Sequence, residues 1–148
     1  MTTLLEKLPL PQKRKELVEA CCRVLDSEVQ GKKGFSGLAI KAAYKVMQTI
    51  KPGAVRDAVD ALFDEFIQSL EPLHEKYQQN GSSQSFGQYM MSCPKEAAEL
   101  LVGITDARAQ RTQHKSLKSA YQRLRPSAVQ HVSEAISPLA SLVDRYYG

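Results

Sequence analysis

Two stretches of the chain hold most of its unopposed positive charge. Between Glu28 and Asp57 there is no acid, while Lys32, Lys33, Lys41, Lys45, Lys51 and Arg56 fall within it. Between Asp106 and Glu134 acids are again absent, and Arg108, Arg111, Lys115, Lys118, Arg123 and Arg125 appear together with His114 and His131. Ammonium and guanidinium groups meet phosphate or carboxylate oxygens as point charges and as bidentate forks. If the two stretches converge, Lys32, Lys33, Lys41, Lys45, Arg108, Arg111, Lys115 and Lys118 form a surface for an anionic partner, an acidic protein or a nucleic acid, with Tyr44 as an anchoring or stacking ring. The segment from Asp57 to Glu75 has the opposite sign, with Asp57, Asp60, Asp64, Glu65, Glu71 and Glu75 against no base. The alternative reading is therefore solvated faces of opposite sign, joined by weak surface pairs.

Other candidate chemistry is thinner. Gly31-Lys32-Lys33-Gly34 matches the G-x-x-G loop that clamps a nucleic-acid backbone, but that loop belongs beside a sheet, and a helix-ending turn is the better explanation. Ser36 lacks the second glycine of a nucleophile elbow and reads as a helix N-cap. His74, His114 and His131 are scattered, without acidic partners at metal spacing, and Cys21, Cys22 and Cys93 form no zinc or C-x-x-C pattern. Asp57, Asp60 and Asp64 share a helix face, as an acid/base or metal site would, but they alternate with a regular apolar stripe and read as the wet side of an amphipathic helix. Asp106 near Arg108 and Arg111 suggests an Asp–Arg pair between helices or a capping contact. Phe63, Phe66, Phe86, Met90 and Met91 could line a ligand pocket or simply fill a core.

These groups must be carried by helices. Apolar residues recur at helical spacing after Pro11 (Leu17, Val18, Cys21, Leu25, Val29), from Ser36 to Ile50, and from Val55 to Leu70. Pro72 restarts the third of these, and Asn80 to Ser85 forms a polar loop that we expect to be mobile. A short helix capped by Ser85 follows, then one from Pro94 past Ala107 with Ser92 or Cys93 as its cap. Leu117, Tyr121 and Leu124 indicate a shorter helix before a last one that Pro126 starts and Pro138 kinks or splits. No stretch alternates like a strand. The expectation is all-α, a single compact bundle of about six or seven helices over residues 1–148.

With 148 residues, 43% hydrophobic and 24% charged, the chain can bury a core without disulfide or metal staples. No apolar run reaches the ~20 residues of a membrane span. Met1 to Lys7 meets an acid and a base too early for a signal peptide, and three cysteines, two of them adjacent, suit a reducing cytoplasmic setting. A net charge of +4 is mild for a nucleic-acid binder.

Gly34-Phe35-Ser36-Gly37-Leu38-Ala39-Ile40-Lys41-Ala42-Ala43-Tyr44-Lys45, ending in Ile50-Lys51-Pro52-Gly53, resembles a family of short helical bacterial proteins of unknown function. Thr105-Asp106-Ala107-Arg108-Ala109 and Lys115-Ser116-Leu117-Lys118-Ser119-Ala120-Tyr121 are similar to its second half. The likeness runs from about Leu4 to about Arg145, while the polar loop and the Cys21-Cys22 pair depart from it. It implies a bacterial, cytoplasmic, all-α domain and brings no catalytic residue or cofactor. The functional expectation is a non-enzymatic binding module with a basic surface; a self-associating scaffold and a small-ligand or lipid pocket are the alternatives.

Overall fold

The computed structural model describes residues 2–80 and 83–148. Their regular structure is all helical: α1 (Leu4–Lys7), α2 (Leu10–Gly31), α3 (Gly34–Ile50), α4 (Ala54–Ser69), α5 (Glu71–Gln79), α6 (Phe86–Ser92), α7 (Pro94–Arg111) and α8 (Lys115–Tyr146). The all-α expectation holds. Gly81 and Ser82, at the heart of the expected mobile loop, lie outside the described residues. At its edges the Tyr77 hydroxyl donates to the Gln84 carbonyl at 2.9 Å, and Ser85 caps α6.

Local chemistry explains most boundaries. The Ser85 hydroxyl accepts from the Gln88 amide at 3.1 Å while the Gln88 side chain accepts from the Ser85 amide at 2.9 Å, a reciprocal capping box. Thr3 and Glu6 build the same device at α1, a turn too short to show in hydrophobic periodicity. Pro72 and Pro94 stand in the first turns of α5 and α7, where a missing amide proton costs nothing.

Two expectations need correction. Helix α3 starts at Gly34, with Lys33 in the cap position, so Ser36 is inside the first turn and is not the N-cap. The separate helices expected on either side of Pro126 are one continuous α8, and Pro138 also lies inside it. An internal proline removes one backbone hydrogen bond and crowds the preceding turn. Packing of α8 along its length against α7, α3, α6 and α2 outweighs that loss.

The core joins α1, α2, α4, α5, α6, α7 and α8 through Leu4, Leu17, Val18, Phe63, Leu73, Phe86, Met90, Ala97 and Ile136. Phe63, Phe86 and Met90 are thus packing residues, while Met91 is 40% exposed. His74 is fully buried among them, edge-on to Phe86 at 5.0 Å. No side chain of α3 belongs to this core, and Gly37 is the one fully buried residue of that helix.

Candidate functional site

The corner where α2 turns into α3 gathers the molecule's most unusual polar and apolar groups. Gly34 turns the chain with φ of +75°, a conformation that costs a residue bearing a Cβ. At Gly37 a Cβ would lie 2.8 Å from the Lys32 carbonyl carbon, so only glycine lets the first turn of α3 fold back over Lys32.

Lys32 is therefore covered, at 8% exposure. A buried ammonium needs a counter-ion, and it has two: Nζ donates to Glu134 Oε1 on α8 at 2.6 Å and lies 3.6 Å from Glu28 Oε1 on α2. The Lys32 ammonium holds the Glu134 carboxyl below the usual carboxylate range. Beside this pair His131 is 6% exposed, and neither ring nitrogen has a hydrogen-bond partner; Nδ1 comes only within 3.8 Å of Glu134 Oε1. Ser27, Gln130, Lys33 and Ser36 complete the lining of a cleft of about 330 Å³.

The other side of the corner is apolar and open. Phe35 is 94% exposed and Leu38 64%, and with Lys33 and Lys41 they border a shallow groove. Lys33, Lys41 and Lys45 are exposed, and among the described residues none has a carboxylate within ion-pair distance. Tyr44 is half-buried and donates to Asp26 at 3.2 Å. Burial and the neighbouring Asp26 carboxylate push its phenol up.

The second basic stretch lies on α7 and α8. Arg108 and Arg111 end α7, and Lys115 and Lys118 begin α8, all exposed and unpaired among the described residues. Sixteen residues of α8 separate Lys118 from Glu134, roughly 24 Å along a helix axis. Between the two, Asp106 binds Arg125 at 2.8 Å and accepts from the Tyr121 hydroxyl at 2.6 Å. The expected Asp–Arg pair between helices is present, with Arg125 as the arginine. Burial and the hydrogen bond to Asp106 push the Tyr121 phenol to about 12.

The aspartate face of α4 is engaged in ion pairs. Arg14 on α2 donates to Asp60 at 3.2 Å and to Asp64 at 2.6 Å, and Lys51 lies 3.1 Å from Asp57. Among the described residues no group of three or more His, Cys, Asp or Glu side chains is placed to hold a metal ion.

In the sequence His131 reads as one of three scattered histidines, and Glu28 and Glu134 only bound the basic stretches. His131 and Glu134 stand at i, i+3 on one helix, a spacing that puts both on one face and was available to be read. The same spacing joins Glu71 to His74. The closure of Lys32 onto Glu134, 102 residues away, carried no local signal.

A family model matches residues 4–147. The chain belongs to DUF6918, a family of unknown function. This agrees with the resemblance carried by the runs at Gly34–Gly53 and Thr105–Tyr121. No curated protein and no solved structure matches the chain. The family covers every residue of the α2–α3 corner and its α8 partners, so the corner is part of the family's common segment and not an appendage.

Proposed function

We propose that the protein is a non-enzymatic binding module that docks an acidic protein partner on the lysine-flanked apolar start of α3. One observation carries this reading: Phe35 and Leu38 stand in solvent on a helix that contributes no side chain to the core. Leaving a Phe or Leu side chain exposed forgoes roughly 1.5–3 kcal/mol of burial apiece. A fold that already has room for Phe63 and Phe86 has no packing reason to leave Phe35 outside.

The surrounding charge selects the partner. Lys33, Lys41 and Lys45 are free to pair with carboxylates, and the apolar pair between them needs an apolar counterpart. An acidic amphipathic segment supplies both, whereas a nucleic-acid backbone supplies only the charge. Arg108 and Arg111 at the end of α7 and Lys115 and Lys118 at the start of α8 add a positive field that would speed the encounter with an acidic protein.

A photo-crosslinking residue in place of Phe35, activated in the source cell, tests this, with Lys95 on the exposed face of α7 as the control position. A discrete protein adduct at position 35 alone, lost with Lys41→Glu and Lys45→Glu, is the expected outcome. Identical adducts at both positions, or adducts with nucleic acid only, would overturn the reading. An adduct of twice the chain mass would replace the acidic partner with a second copy.

A further inference from the structure

We infer that the end of the α7–α8 hairpin binds the phosphate backbone of a nucleic-acid duplex through Arg108, Arg111, Lys115 and Lys118. This does not rest on the docking reading: it uses other helices, none of the same side chains and a different partner.

Net charge is unevenly placed along the chain. Residues 107–133 hold six arginines and lysines and no acid, so the net +4 is +6 in this segment and −2 over the rest. Arg108 and Arg111 stand one turn apart at the end of α7, Lys115 and Lys118 one turn apart at the start of α8, and only residues 112–114 join the two helices. All four are exposed, and among the described residues none has a carboxylate within ion-pair distance. The nearest acid in sequence, Asp106, is already committed: it binds Arg125 at 2.8 Å and accepts from Tyr121 at 2.6 Å.

Folding does not ask for this placement. Arg108 and Arg111 suit the negative end of the α7 dipole. Lys115 and Lys118 do the opposite at α8: they begin the helix, at the positive end of its dipole, where acids are stabilising and none is present. Four like charges at one hairpin end also repel one another. A polyanion bound there relieves both effects.

The rest of the surface selects the polyanion. The large apolar side chains that stand in solvent are Phe35, Leu38, Ile50 and Met91, none of them at the hairpin end. Seating in a lipid surface, like the core of a protein interface, draws on such residues. A phosphate backbone needs only cations and short polar donors, and Gln110, Gln113, Ser116 and Ser119 are exposed among the four cations. The His114 ring accepts from the Leu117 amide as the α8 cap, and the Tyr121 ring is held by Asp106. Neither is free to stack on an unpaired base, which favours a duplex over a single strand. Phosphate contacts alone carry no sequence preference.

The experiment is fluorescence anisotropy of a short DNA duplex of arbitrary sequence, titrated with the full chain over a range of salt. A Kd on the order of 10⁻⁶ to 10⁻⁴ M is expected, with log affinity falling against log salt at a slope of roughly −3 to −4, four phosphates' worth. A duplex of unrelated sequence should bind equally. An RNA duplex tells which nucleic acid supplies the backbone, and binding to either supports the inference. Lys115→Gln with Lys118→Gln should weaken binding on the order of tenfold and reduce the slope by about 2. The same pair should raise the urea midpoint, because it removes charge from the wrong end of a dipole. Lys115→Arg with Lys118→Arg should bind like the parent. Lys41→Gln with Lys45→Gln removes the same net charge from α3 and should leave the slope unchanged, which separates this site from the docking surface. A slope near zero, equal losses from the α3 and α8 pairs, or a lowered urea midpoint accompanying the loss of binding would each overturn the inference. So would binding to anionic vesicles without binding to either duplex.

Discussion

The Asp144 carboxylate on α8 fixes the start of α6 by accepting from the Gly87 amide at 2.8 Å. Its second oxygen accepts from the Ser85 hydroxyl at 2.6 Å, and that same hydroxyl accepts from Gln88. One carboxylate near the end of the chain thus satisfies the free amide and the capping residue of a seven-residue helix that could not hold itself. It also explains why residue 87 has no side chain.

Replacing Gly87 with Ala should cost about 3 kcal/mol. The new Cβ would sit 2.3 Å from Asp144 Oδ2 and 2.6 Å from the Ala140 carbonyl oxygen, and the carbonyl cannot move without moving α8. Gly103→Ala is the control: nothing lies within 4 Å of its Cβ, so this helical, exposed position should gain roughly 0.5–1 kcal/mol. Urea midpoints for the two variants should move in opposite directions. A shared direction would mean that helix propensity, not the Asp144 contact, governs position 87.

Tyr147→Phe isolates the buried histidine. His74 Nδ1 lies 3.2 Å from Glu71 Oε1 and Nε2 lies 2.7 Å from the Tyr147 hydroxyl. A carboxylate only accepts, so Nδ1 carries a proton, and in the neutral ring Nε2 accepts from Tyr147. Burial pushes the Tyr147 phenol up, which keeps it a donor. Removing that hydroxyl strands a buried acceptor and should cost about 1–3 kcal/mol by urea unfolding. A variant as stable as the parent would show that the pair is not a working hydrogen bond.

The sequence made the helices legible because the apolar stripes and prolines act locally. Val55 to Leu70 and the Ser85 cap needed no knowledge of the rest of the fold. What stayed hidden was long-range: Asp144 reaching Gly87, Lys32 reaching Glu134, and α8 running through Pro126 because its neighbours hold it. The candidate site shows the same division. Lys33, Lys41 and Lys45 were visible from charge, whereas the burial of Lys32 depends on how Gly37 folds over it, and the unmet His131 ring depends on what α2 does not place beside it. Phe35 was visible as a residue, but its exposure is a fact of packing.

The thiols should be slow to react, and Cys21 slowest. Burial pushes the Cys21 thiol to about 11, and burial also raises Cys22 and Cys93. The thiolate is the reactive form. At pH 8 a thiol titrating near 11 is ionised at roughly one part in a thousand, against about a quarter for an unperturbed cysteine. Alkylation of the native protein followed by mass spectrometry should find Cys21 modified last, on the order of a hundredfold more slowly than in the urea-unfolded chain. Early modification at Cys21 would reveal an opening of α2 that its packing against α4 and α8 does not suggest.

Acid should weaken the α2–α8 closure through Glu134. Its folded value is lowered, first by the hydrogen bond from Lys32, so its contribution to stability is complete above the unfolded value of 4.5 and is lost as pH falls through the folded value. Glu134→Gln cannot titrate. At neutral pH the variant should be less stable by no more than about 1 kcal/mol, because a half-exposed carboxylate is screened by water. The gap should then close as pH drops through the carboxylate range, since protonation does to the parent what the substitution did already. A gap that stayed constant with pH would show that the loss does not come from the carboxylate's charge.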